Sequence, residues 1–412
     1  MKKILIISYY WDESNSIGRQ RWFNYVNELI NKNIKVYVLT SANENKIIFK
    51  KNLVIIKRKS NDINTIFSKL FSSNYTSGVI DSSEIITNKI FSWIRVNLFF
   101  PDPRILWANS SYKFLLKFID KEKINTIVTT SPPHSMHIIG RKLKEKLDLK
   151  WISDFRDPYI NWDILLNMNP LNFSKKIHRN MEIDFLKKSD HVLVTNSNLK
   201  DEYSKIINSN KFTLLRNGSN HFFQKIDYDS KFIISHFGLI NKFRDPITFL
   251  KALDELLTEN KTFSSKFELR LFGKIQKSTL NYLENEFTNK KNIKIYGQID
   301  TNKVNDKINE SSILLLLINN TKIQNTTPYK IYDYLVSGRH ILTLGNHENT
   351  DVNYLLNKYK RREMVSYENR EGIKKYLIES FNSFKEKKLK DFSLDYSNIK
   401  YSNLRDSLMD II

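Results

Sequence analysis

A chain of 412 residues has room for two or three domains of roughly 150 residues each, and 41% hydrophobic and 13% aromatic residues with only 10 glycines and 8 prolines exclude disordered and collagen-like architectures. The absence of cysteine excludes a disulfide scaffold, a thiolate nucleophile and a Cys-ligated metal. The 66 Lys and Arg against 44 Asp and Glu leave a net charge of +22, which attracts a polyanion (nucleic acid, an anionic membrane or a phosphorylated substrate) or simply reflects a composition rich in Lys, Asn and Ile throughout.

The apolar opening, Ile4–Ser8, is too short and too quickly followed by polar residues for a signal peptide, and it reads as a first strand. Trp22, Val26, Leu29 and Ile30 then recur at helical spacing, and Val36–Thr40 is a second β-rich run, which makes a βαβ opening. Further strands are predicted at Thr126–Thr130, Trp151–Phe155 and His191–Thr195, with helices at Ser135–Leu147, Phe173–Lys188 and Asn198–Ile207. A second series of strands starts at Phe212–Leu215 and continues at Ile233–Phe237, Phe267–Phe272, Ile293–Tyr296, Ile313–Ile318 and Ile341–Leu344. Helices such as Pro246–Leu257 and Pro328–Val336 separate most of these strands. The pattern predicts an α/β chain of two Rossmann-like domains, residues 1–209 and 210–396, facing each other across a cleft. Residues 397–412 are predicted as a terminal helix packing back toward the first domain.

Open parallel sheets collect ligands in the loops at their carboxyl ends, so chemistry is sought there. In Asn325-Thr326-Thr327-Pro328-Tyr329-Lys330, Thr327 is expected to cap a helix with Pro328 at its first position. Lys330 in the first turn opposes the helix dipole, which suggests a missing anion, and Asp333 lies one turn on. Together they suit a phosphate and a ribose; a surface ion pair three residues apart is the plainer reading. The strand ending Ser235-His236-Phe237-Gly238 is followed by Lys242 and Arg244, cations suited to a departing diphosphate or simply solvated. Asp154, Arg156 and Asp157 crowd the end of another strand, either as ligands or as an Asp–Arg–Asp network that fixes the turn. Ser131-Pro132-Pro133-His134-Ser135-Met136-His137 offers two histidines after a rigid loop, each a catalytic candidate or a structural residue. The opening loop from Asp12 contains Gly18 and Arg19 but no G-x-G-x-x-G, which disfavours dinucleotide oxidoreductases. The P-loop, zincin and serine-hydrolase signatures are missing too.

Taken in order, S-P-P-H-S-M-H at Ser131–His137, D-F-R-D-P at Asp154–Pro158, R-N-G at Arg216–Gly218, H-F-G with R-D-P within His236–Pro246, and P-Y-K-I-Y-D-Y-L-V-S-G-R at Pro328–Arg339 resemble bacterial GT-B glycosyltransferases of the family 4 type. The resemblance implies a nucleotide-sugar donor, UDP-sugar favoured, held mainly by the second domain, and an acceptor held mainly by the first. It also implies retention of configuration, no obligatory metal or other cofactor, and a role in cell-surface polysaccharide synthesis on a lipid-linked glycan, by hexosyl or N-acetylhexosaminyl transfer. Carried onto this chain, Lys242 and Arg244 face the diphosphate, Gly18, Gly238, Thr327 and Lys330 flank the phosphates, Asp333 holds the ribose, and Asp157 lies beside the reacting sugar. Arg19, His134, His137, Asp154 and Arg156 are second-tier or acceptor candidates. The family commonly has two glutamates eight positions apart where this chain has Asn325 and Asp333, a departure that bears on the sugar contact.

The chemistry expected is electrostatic, because cations stabilise the leaving diphosphate, which itself takes the acceptor proton; an inverting reaction instead calls on Asp157 or His134 as base. The stretch Ile85–Phe100 forms a largely apolar helix with a polar stripe of Asn88, Ser92 and Arg95, edged by Lys89, which fits a bilayer interface or a buried core helix equally. With the net charge, it leads to the expectation of a cytoplasmic protein held peripherally on the anionic inner membrane face. Competing readings are a GT-B relative with other chemistry, such as a sugar-nucleotide epimerase, or an inactive one. A basic nucleic-acid-binding protein is the other alternative, disfavoured because no reader motif is present.

Overall fold

The computed structural model describes residues 1–11, 17–60, 89–207, 210–227, 231–320, 326–345, 350–361, 363–389 and 392–412. They divide into two units, Met1–Gly218 with Ile399–Ile412, and Ser219–Asn398.

The first unit is built on an eight-stranded sheet in the order β3-β4-β2-β1-β5-β6-β7-β8. Its strands are β1 (Lys3–Ile7), β2 (Lys35–Ala42), β3 (Lys46–Lys50), β4 (Leu53–Lys59), β5 (Thr126–Ser131), β6 (Lys150–Phe155), β7 (His191–Val194) and β8 (Phe212–Leu214). Every pairing is parallel except β3 with β4. Strands covered on both faces read as continuous apolar runs, and β1 is the clearest: Leu5 and Ile7 enter one core, Ile4 and Ile6 the other. The edge strand β3 has two lysines and an exposed Phe49, so its pattern carried no strand signal, and the Lys51-Asn52 turn lacks the glycine that marks a tight hairpin.

The second unit has six parallel strands, β9 (Phe232–Phe237), β10 (Phe267–Phe272), β11 (Ile293–Gly297), β12 (Ile313–Leu317), β13 (His340–Leu344) and β14 (Met364–Val365), in the order β11-β10-β9-β12-β13-β14. In each sheet the strand order reverses once, between β1 and β5 and between β9 and β12.

Two expectations need correcting, the domain assigned to Phe212–Leu214 and the helix at Ile85–Phe100. Phe212–Leu214 does not open the second domain: it pairs with β7, Val192 opposite Phe212, as the last strand of the first sheet, so the division falls after Gly218 instead of at 209/210. The terminal helix, Tyr401–Met409, lies within the first unit, where Tyr401 meets Tyr25 edge-on at 5.0 Å and Arg405 pairs with Glu28 at 3.0 Å. The helix expected at Ile85–Phe100 is described from Lys89 to Leu98, with Asn88 outside the described residues. It turns Ser92, Val96 and Asn97 inward and leaves Trp93 and Leu98 exposed, so its polar stripe is not its outer face. Among the described residues no helix is long and apolar enough to cross a membrane.

One close approach sets the geometry of β5 and β6. A Cβ on Gly140 would lie 2.2 Å from the Trp151 indole nitrogen and 2.9 Å from Thr129, so only glycine lets the helix Ser135–Lys144 close on these strands. That helix starts on a remote cap: Asp102 accepts from the Ser135 amide at 2.9 Å and from its hydroxyl at 2.8 Å.

Beneath the carboxyl end of β6, Asp154 is fully buried, taking Arg21 at 2.9 and 3.3 Å, the Trp22 indole N–H at 2.7 Å and the Thr130 hydroxyl at 2.7 Å. Burial alone would raise its pKa, but the Arg21 charge and these hydrogen bonds outweigh it and hold the carboxyl below its usual range. Arg21 also donates to the carbonyls of Leu215 and Arg216 and to Asn217, fastening the end of β8. Removing one partner strands a buried charge, so Arg21→Ala is expected to cost roughly 3–5 kcal/mol. Thermal unfolding of the variant checks this; a transition unchanged from wild type would refute the structural role.

Candidate functional site

The reversal of strand order decides where each unit has room for a ligand. Crossover connections leave toward opposite faces there, and the loops at the strand ends diverge. In the second unit these are the loops after β9 and β12, and they hold most of the predicted donor residues.

β9 ends at Phe237 and turns through Gly238, whose φ of +127° favours glycine and whose amide donates to the Phe272 carbonyl at 2.7 Å. Gly273 at the end of β10 has φ +120°, and a Cβ there would sit 2.3 Å from the Gly238 carbonyl oxygen. Two glycines in contact thus form the floor of the loop. Above them, the Lys330 ammonium donates to the Phe237 carbonyl at 2.9 Å and lies 3.5 Å from His236 Nε2. Arg244 is half-buried and donates from Nε to Asn319, in the loop after β12. Desolvation, and then the nearby Arg244 charge, hold the Lys330 amine well below its ordinary pKa. Buried His236 is likewise pushed down, first by burial and then by Lys330, and its Nδ1 is 2.9 Å from the Leu315 carbonyl. Gly238, Arg244 and Lys330 therefore share one place, and two cations repel each other in it. Lys242 is exposed, with its ammonium 4.6 Å from the centre of the Phe243 ring.

The helix carrying Lys330 differs from its sequence reading. It runs Lys330–Val336, its N-cap is Tyr329, and no side chain caps it, so Thr327 does not play that part. Bonds from Ile331 to Pro328 and from Tyr332 to Tyr329 wind its entry instead. The surface ion pair between Lys330 and Asp333 does not form either. Asp333 accepts from the Ser219 hydroxyl at 2.5 Å, and Ser219 Oγ in turn takes the His221 amide at 2.9 Å. Desolvation raises the Asp333 pKa, against the Ser219 hydrogen bond and the His221 ring. Gly338, at φ +75°, ends the helix. Asn325 lies outside the described residues.

In the first unit Arg156 is the organiser. Its guanidinium donates to three carbonyls, Ser131 at 2.9 Å, Pro132 at 2.6 Å and Gly18 at 2.8 Å. These bonds join the end of β6 to the loop after β5 and to the first turn of the helix Ile17–Asn31. This corrects one side of the expected Asp–Arg–Asp network: Asp154 belongs to Arg21, while Arg156 donates to backbone and keeps the Asp157 charge beside it. Asp157 beside it is half-buried, and Arg19 lies over the Phe23 ring at 4.1 Å. Asp154 is sealed from any acceptor, and so is His137, whose Nδ1 is 2.8 Å from Thr129 Oγ1. His134 stacks on Tyr159 at 4.1 Å, and burial, with His178 and Arg156 nearby, pushes its pKa down to about 3. Both rings are neutral, which suits His134 as a proton acceptor only for an unusually acidic group.

Sequence reasoning missed Arg21, Asp102, Ser219 and Asn319. Each acts across more than thirty positions of chain, which no local motif reports; only Ser219, following Arg216-Asn217-Gly218, stood next to a recognised pattern.

No family model matches the chain, and no curated protein matches it in sequence. Solved structures do match it in shape over its whole length. A UDP-forming α,α-trehalose-phosphate synthase from Burkholderia vietnamiensis superposes with a TM-score of 0.67 at 9% identity, covering 100% of this chain and 98% of that one. Sucrose-phosphate synthase from Thermosynechococcus elongatus gives 0.63 at 11% identity, with 100% and 95% covered. A glycosyltransferase from Rickettsia africae gives 0.60 at 12% identity, with 100% and 97% covered. This chain has the GT-B fold. At such identities it is the fold that is shared, two Rossmann-like α/β domains with parallel sheets.

Because Gly273 combines a positive φ with a 2.3 Å approach to Gly238, Gly273→Ala is expected to displace the β9 loop and destabilise the second unit by about 2 kcal/mol or more. A melting temperature equal to wild type would contradict this tight floor.

Proposed function

We propose that this protein is a retaining glycosyltransferase that moves a sugar from a nucleotide-sugar donor, favouring a UDP-sugar, to a lipid-linked glycan in cell-surface polysaccharide synthesis. The observation that carries the reading is the gathering of Gly238, Arg244 and Lys330 at the strand-order reversal of the second sheet, with Asp333 one helical turn from Lys330. Two cations held together with desolvation lower each other's stability, and a diphosphate relieves that repulsion. Beside its bond to Phe237 and its approach to His236 Nε2, the Lys330 ammonium has a further N–H donor. Asp333, oriented by Ser219, offers a carboxylate to the ribose hydroxyls, and the second unit thus holds the donor.

In the proposed reaction the bond between the anomeric carbon and the diphosphate oxygen breaks, and its electron pair stays with the diphosphate. The acceptor hydroxyl oxygen bonds to the same face of that carbon, and its proton passes to the departing phosphate oxygen. Arg244, Lys330 and the exposed Lys242 stabilise the charge that grows on the leaving group, so the reaction has no obligatory metal.

A second acceptor class has a specific basis, since the structural relatives include proteins named trehalose-phosphate and sucrose-phosphate synthases. Supplying one UDP-sugar with either a polyprenyl-linked glycan or a free sugar phosphate, and asking which becomes glycosylated, separates the two. Product from the sugar phosphate alone rejects the lipid-linked assignment.

Nucleoside diphosphate at about 100-fold its Kd should stabilise the protein by about 2.7 kcal/mol in a thermal-shift assay. Asp333→Ala should weaken that binding without unfolding the chain, and unchanged affinity speaks against the ribose assignment. Lys242→Ala and Arg244→Ala should chiefly lower kcat; a rise in KM alone contradicts a transition-state role. The pH dependence has a defined sign. The Lys330 pKa is lowered, so its charge is present at low pH and lost as pH rises through that depressed value. Diphosphate affinity should therefore fall on the alkaline side, and Lys330→Ala should remove that dependence; a variant retaining the same alkaline limb would exclude Lys330 as its source.

A further inference from the structure

Large apolar side chains stand exposed together on two helices of the first unit. Trp93 (40% exposed) and Leu98 (61%) lie on Lys89–Leu98, and Leu171, Phe173 (52%) and Ile177 lie at the start of Asn172–Lys188. Their exposure is not a packing defect, because the two helices are fastened to each other. The Leu171 amide donates to Asn97 Oδ1 at 2.8 Å, and His178 Nε2 meets the Val96 carbonyl at 2.9 Å. Ser92, Val96, Asn97, Ser174 and His178 are buried, so the pair has an inner face and a separate outer one.

Charge identifies what that outer face suits. Lys89, one turn before Trp93, and Lys175 and Lys176, between Phe173 and Ile177, are all exposed. Neither Lys89–Leu98 nor Asn172–Met181 contains a carboxylate. Protein–protein interfaces are depleted in lysine, and a symmetric contact with a second copy would set these unneutralised cations against themselves. Tryptophan, phenylalanine and leucine interleaved with lysine suit the boundary between lipid headgroups and acyl chains, where the rings enter the apolar layer and each ammonium reaches a phosphate.

We propose that this face docks the protein on an anionic lipid bilayer, with Trp93, Leu98, Phe173 and Ile177 entering the headgroup layer and Lys89, Lys175 and Lys176 pairing with lipid phosphates. The docking needs neither donor nor acceptor sugar, so it stands or falls separately from the glycosyl-transfer reading.

Vesicle flotation of the full chain at physiological salt tests it, using phosphatidylcholine with and without phosphatidylglycerol. The chain should float with the anionic vesicles and not with the neutral ones. Trp93→Ser with Phe173→Ser, and separately Lys175→Glu with Lys176→Glu, should each weaken binding by about tenfold or more. Because a chain of net charge +22 attracts any anionic surface, Lys50→Glu with Lys51→Glu at the β3 edge is the decisive control and should change binding by less than about twofold. The proposal is overturned if that control costs as much as the Lys175/Lys176 pair, or if both patch variants bind like wild type. It is equally overturned if sedimentation equilibrium shows a dimer that the Trp93/Phe173 variant dissociates, since a second copy then covers the face. The altered side chains are exposed, and should the serine variant nonetheless fail to fold, the lysine variant decides.

Discussion

A parallel sheet cannot turn back on itself with a short hairpin; each strand must be reached by a crossover over one face or the other. Where strand order reverses, the crossovers part, and the backbone ends of two neighbouring strands are left without a helix between them. Both sheets of this protein meet that condition once, β1 beside β5 and β9 beside β12. Gly238 and Arg244 follow β9, and Lys330 follows β12, so in the second unit the gathering of these residues follows from it.

The two units handle charge at these places in opposite ways. In the first, Asp154 and Arg21 are both buried and answer each other, and Arg156 donates to three carbonyls with the Asp157 charge beside it. That arrangement supports a shape and leaves little net field. In the second, the Arg244 charge lies close enough to Lys330 to disfavour its ammonium, and Lys330 is held by the Phe237 carbonyl with His236 Nε2 beside it. Desolvated like charges brought together repel each other, and an anion placed between them relieves that repulsion.

Much of the fold was legible because parallel strands buried on both faces leave an unbroken apolar signature: Ile4–Ile7 and Ile313–Leu317 read as strands on sight. Phe212–Leu214 shows where that signature stops being informative. The run was recognisably β, but a strand of three residues does not say which sheet it joins, and it was assigned to the wrong domain. Helix starts were less legible still. Thr327-Pro328 obeys the local capping rule, yet the helix begins at Lys330, where its lysine reaches the Phe237 carbonyl; a long-range bond outweighed a local preference.

The sequence by itself determined the class of the fold, two α/β units of parallel strands, and which loops carry cations and carboxylates, because periodicity and residue type are local properties of the chain. Only the tertiary structure decided which of those charges meet an opposite charge and which are brought beside a like one. Asp154 looked reactive and is sealed by Arg21, while Lys330 and Arg244, nearly ninety positions apart, come together around Gly238. A charge becomes structural or chemical according to the partners that packing brings within about 3 Å, and those partners are set by sheet order, which no stretch of sequence records.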